Sequence, residues 1–72
     1  MNVFTVMDNE QLRQCYKQYI VLNKTGICKE EPLRSIIDEY CTRTPALGLL
    51  MTTSDLLSEI AKRWDEQYET YR

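Results

Sequence analysis

The sequence predicts an all-α fold, a small three-helix bundle with an extended N-terminal arm. Apolar residues recur at helical spacing in three separate stretches, capping or proline signals open each stretch, and Gly26 and Pro45 close the first two. Those three observations carry the fold class, and each element follows from them in order.

The first helix is expected over about residues 8–24. Asp8 is placed to accept from the exposed amides of a helix start, Gln11 to reach back to it, and Met7 and Leu12 to form a hydrophobic staple. Leu12, Cys15, Tyr16, Tyr19 and Ile20 then mark one face, with Arg13, Gln14, Lys17 and Gln18 between them. Gly26 supplies the left-handed residue that ends the helix.

A second helix is expected over about residues 31–41. Pro32 is pre-shaped for a first helical position, and Glu30 and Glu31 sit at the positive end of the helix dipole. Leu33, Ile36, Ile37, Tyr40 and Cys41 form an unbroken amphipathic stripe. Pro45 cannot continue a helix and drives Thr44 toward extended geometry.

The third helix is expected over about residues 53–70, because Thr52 with Asp55 repeats the capping-box spacing and Met51 with Leu56 repeats the staple. The recurrence reads as convergent capping chemistry, since beyond Leu12 and Leu56 the two helices share little more than apolar spacing. Leu57, Ile60, Ala61, Trp64, Tyr68 and Tyr71 continue the helix as its longest apolar stripe.

Two pieces fall outside the helices. Residues 2–6, with Val3, Phe4 and Val6, read as an extended arm on the bundle, because an isolated strand has nothing to pair with. Residues 42–51 are apolar for a connector, with Leu47, Leu49, Leu50 and Met51 around Gly48, and are expected to fold back over the core or add a short helical turn.

Size and composition narrow the function. The 72 residues make one domain, 1–72, and a chain this short buries only roughly 60 % of its unfolded surface. Disulfides, a metal or a second subunit usually assist such chains. With no histidine and three widely spaced cysteines lacking any C-x-x-C pair, no metal is expected. An odd cysteine count and the lack of a charged-then-apolar leader point to a reducing, cytoplasmic setting. The apolar run from Ala46 to Met51 is far below the roughly 20 residues of a membrane span.

No catalytic constellation is legible. Ser35, Ser54 and Ser58 have no histidine base, Cys15 and Cys41 read as core, and Cys28 alone is expected to be exposed. Asp38 with Glu39, and Asp65 with Glu66 and Glu69, read as solvated helix faces. With Gly26 and Gly48 the only glycines, a phosphate-cradling loop is excluded, and the expectation is no enzyme, no cofactor and no small-molecule substrate. Eleven acidic against nine basic residues, a net charge of −2, disfavours nucleic acid as a partner. A helix-turn-helix reader would also need a tight turn, and the expected link from Cys41 to Thr52 is too long for one.

The aromatic stripe remains. Its ordinary reading is core, favoured for Trp64, but a short second helix cannot cover the third, and a thin core has little room for five tyrosines. Tyrosine and tryptophan are enriched at interface hot spots, so Trp64, Tyr68, Tyr71 and Glu69, with the connector residues Leu47 and Leu50, are candidate partner-binding residues. Val21, on the polar side of the first helix, adds a weaker hint.

The expected function is a non-enzymatic regulator or inhibitor docking this face on a larger protein, a profile that size and charge share with small phage or mobile-element inhibitors. The alternatives are a helix-turn-helix-like DNA-binding regulator and a purely structural homodimer.

Overall fold

A computed structural model describes residues 2–70, with only the backbone described for Glu69 and Thr70. The described residues form a 3-10 turn, Val3–Val6, and three helices, α1 (Asn9–Thr25), α2 (Leu33–Arg43) and α3 (Gly48–Thr70). The all-α three-helix bundle is as the periodicity predicts. The N-terminal segment differs from the extended arm: Phe4 N–H donates to Asn2 Oδ1 at 2.9 Å, the chain coils into one turn, and Phe4 is fully buried. Extended backbone would leave Phe4 without this approach to the core, because an apolar ring gains most when wholly withdrawn from water.

The opening of α1 follows its capping box. Gln11 N–H donates to Asp8 Oδ1 at 2.8 Å, and Asp8 N–H donates to Gln11 Oε1 at 3.1 Å. Gly26 closes the helix with φ at 79°, a left-handed conformation that a Cβ would strain. Pro32 caps α2 rather than occupying its first turn.

The entry to α3 departs most from expectation. Helix begins at Gly48, so Leu49, Leu50 and Met51 are helical, and the link from α2 is only residues 44–47. Leu47 N–H donates to Thr44 O at 3.1 Å and Met51 N–H to Leu47 O at 2.9 Å, so the turn at Pro45 runs straight into the helix. Thr52 is therefore not a cap. It is buried inside α3, and its hydroxyl donates to Gly48 O at 2.7 Å. Asp55 likewise caps nothing and accepts from Tyr40 Oη at 2.7 Å.

Gly48 is required where α2 and α3 cross. A Cβ there would lie 2.6 Å from both Cα and N of Cys41, closer than any real contact allows.

The core gathers Phe4, Leu12, Cys15, Leu33, Ile36, Tyr40 and Leu56, flanked by Met7, Tyr19, Cys28, Ile37 and Ile60. Three polar side chains are buried with it, Gln18, Thr52 and Glu59, and among the described residues no buried side-chain polar atom lacks a partner. Gln18 bridges α1 to the start of α2, donating to Glu31 O at 2.7 Å and accepting from Leu33 N–H at 3.0 Å.

Candidate interaction surface

Since α3 has 23 residues against 11 in α2, it runs about 35 Å while α2 spans only about half as much. A helix this long, covered from one side, leaves another side to solvent.

The inward side of α3 is set by Thr52, Leu56 and Glu59, all buried, with Arg63 beyond them. Arg63 is a four-way clamp. Its guanidinium donates to Glu59 Oε2 at 2.8 Å, Asn9 Oδ1 at 2.9 Å, Phe4 O at 3.1 Å and Met7 O at 2.6 Å. One side chain thus ties α3 to the N-terminal turn and to the start of α1. Arginine suits this task, because its planar fork offers several fixed donors while staying charged.

The outward side is the apolar stripe. Leu50, Ser54, Leu57, Ala61, Trp64 and Tyr68 alternate steps of four and three, the heptad spacing of a helix seam, and every one is exposed. Leu47 lies three residues before Leu50 and is also exposed. Exposure reaches 66 % at both Leu50 and Trp64 and 51 % at Tyr68. Trp64 and Tyr68 stack on each other with ring centroids 5.7 Å apart, an offset aromatic pair laid along the surface. Trp64 also lines a groove between α1 and α3 with Leu12, Tyr16 and Ile60, its remaining wall being polar or charged, from Asn9, Arg13, Arg63, Glu66 and Gln67.

The sequence-expected residues thus separate into distinct places. Leu47, Leu50, Trp64 and Tyr68 share one exposed face. Trp64 is on that face and not in the core, because Leu56, one residue before Leu57 in the chain, sets the inward direction of the helix. Leu47 and Leu50 do not fold over the core; the expected extra helical turn is the turn at residues 44–47 with the first turn of α3, where the two side chains begin the same seam. Tyr71 and the side chain of Glu69 lie outside the described residues. Val21 is exposed but lines a different depression with Ile27 and Cys28, about 270 Å³, to which α3 contributes nothing.

Gln18, Thr52, Glu59 and Arg63 are the structural residues that sequence reasoning missed. Nothing in periodicity marks a polar side chain as inward. The one available signal was the pairing of Glu59 with Arg63 at i, i+4, which a solvated helix face would show equally.

Two thiols and one phenol are shifted by their surroundings. Burial pushes the Cys15 thiol up, helped by Cys28. Cys28, expected to be exposed, is half-buried, and burial raises its thiol as well, against the lowering effect of its hydrogen bond to the Glu30 carbonyl. Burial, then the hydrogen bond to Asp55, pushes Tyr40 up to about 12. Among the described residues, no group of three or more potential ligands is placed to hold a metal, and no helix is long and apolar enough to cross a membrane.

The short link from α2 to α3 removes the objection that the turn is too long for a helix-turn-helix. Its would-be recognition helix nonetheless opens with exposed Leu49, Leu50 and Met51, and Arg63 is engaged inside the fold. Comparison with protein-family models, curated proteins and solved structures found no match to this chain.

Proposed function

We propose that this protein is a non-enzymatic interaction protein, a regulator or inhibitor that docks the outward face of α3 on a protein partner. The observation that supports this best is the exposed heptad seam of Leu50, Leu57, Trp64 and Tyr68, on the side of α3 opposite its core residues. Large apolar side chains arranged at one helical period serve a partner helix or groove far better than they serve water. The aromatic pair supplies anchors of the type that dominate binding energy. The stripe offers no phosphate-neutralising charge, so a nucleic-acid reading is not favoured.

The test uses the whole chain as bait in cells of its source, beside a Leu50→Ser, Trp64→Ser, Tyr68→Ser variant with matched circular dichroism. The expected outcome is a defined protein retained by the parent, lost with the variant, and bound again when the two purified proteins are mixed. Identical recovery by both baits, or duplex DNA binding that weakens steeply with salt and with Arg13 or Lys17 replaced, would overturn the proposal.

A further inference from the structure

We infer that a second copy of this chain covers the outward face of α3, packed antiparallel about a two-fold axis at the level of Glu59, an inference that rests on reading this face as an interaction surface. Side-chain size along the seam is the first argument. With the axis at that level, residues equally distant from position 59 meet across the pair. Leu57 then meets the partner's Ala61, Ser54 meets the partner's Trp64, and Leu50 meets the partner's Tyr68. Each of the two small residues, Ser54 and Ala61, faces a large one, which is how layers of a helix pair interdigitate. A parallel pair would set Trp64 against the partner's Trp64 and Ser54 against the partner's Ser54, crowding one layer and emptying another.

Charge gives the same answer. From Gly48 to Ser58, α3 carries a single charged residue, Asp55, whose carboxylate accepts from Tyr40. Beyond that come Glu59 and Arg63, paired with each other on the inward side, Lys62 and Glu66, paired with each other, and Asp65 and Glu69. Of these only Asp65 flanks the seam, and an antiparallel pair lays it against the uncharged half of the partner helix, while a parallel pair would bring it level with its own copy. Opposed helix dipoles favour the antiparallel sense further.

The area is sufficient. With Trp64 and Leu50 each 66 % exposed, Leu47 54 %, Tyr68 51 % and Leu57 38 %, the seam and its flanks offer roughly 600–700 Å² per chain, or about 1,200–1,400 Å² for the pair. That reaches the range of specific interfaces, about 1,200–2,000 Å². A 72-residue chain with a core this thin is also one that benefits from a second subunit.

The experiment combines mass with directed cross-linking. Light scattering and sedimentation equilibrium of the purified chain should give twice the 8.6 kDa chain mass at high concentration. Leu50→Asp should weaken the dimer about tenfold or more at unchanged helicity. For direction, Leu50→Cys and Tyr68→Cys chains are oxidised separately and mixed, with the parent chain as control for its own thiols.

In the antiparallel pair, like positions lie about 27 Å apart along the axis, so only the mixture should cross-link. A monomer at every concentration would overturn this inference while leaving the interaction reading standing if the α3 variant still loses a partner. A dimer indifferent to Leu50→Asp would overturn this inference in the same way, and the partner test decides the interaction reading separately. Cross-links within each single-variant sample, exceeding the control, would overturn the antiparallel arrangement.

Discussion

The two faces of α3 reverse the roles that hydrophobicity alone would assign them. The inward face buries Thr52 and Glu59 beside Leu56 and places Arg63 among backbone carbonyls, whereas the outward face shows Leu50, Leu57, Trp64 and Tyr68 to solvent. Neighbours decide the matter. At Gly48 the absence of a Cβ lets the backbone of α2 approach that side of the helix, and Arg63 has carbonyls of the N-terminal segment to receive its donors there. A buried ion pair persists where every donor is satisfied, and the apolar stripe opposite is then left over for contact.

Substitutions on the two faces should separate cleanly. The largest effect is expected from Leu56→Ala, which removes a fully buried side chain at a cost of about 2–5 kcal/mol, read as a lower urea midpoint. Next comes Arg63→Ala, which strands Glu59 as a buried carboxylate and costs about 3 kcal/mol, with release of the N-terminal turn visible as faster amide exchange at residues 4–7. Gly48→Ala follows at about 1–3 kcal/mol, because α2 must move away from the new methyl group.

Tyr40→Phe should cost about 1 kcal/mol at neutral pH through its lost hydrogen bond to Asp55. The pH dependence carries a definite sign. The folded-state value of Tyr40 is raised from 10.0 to about 12, so its contribution is complete below pH 10 and is lost as pH rises through about 12. Stability curves of the parent and Tyr40→Phe should therefore converge in that alkaline window. Smallest of all, Trp64→Ser should change monomer stability by no more than about 0.5 kcal/mol in thermal melts at high dilution.

The elements differ in how far the sequence announces them. Around Asp8 and Gly26, local chemistry settles the ends of α1, because the capping partners lie within one turn of each other. At Met51 and Thr52 the same local pattern misleads. It is preceded by Pro45, which can open a helix as readily as it closes one, so the turn at residues 44–47 passes directly into α3 and the capping spacing ends up inside it.

The apolar stripe through Leu57, Ala61, Trp64 and Tyr68 was legible as helical spacing, although Trp64 was expected in the core. Its direction was not. Whether Leu56 or Leu57 points inward depends on where α2 and the N-terminal turn lie, and Phe4 and Arg63 are brought together across nearly the whole chain.

Trp64 is the only tryptophan in the chain and lies on the outward face, so its emission reports that face directly. Emission and acrylamide quenching should be followed as the protein is diluted, with helicity recorded on the same samples. The expected result is a blue-shifted, shielded indole at high concentration that turns red-shifted and quenchable on dilution while helicity stays constant. An indole equally shielded at every dilution, in the parent and in Leu50→Asp alike, would place Trp64 inside its own monomer and contradict the assignment of the two faces.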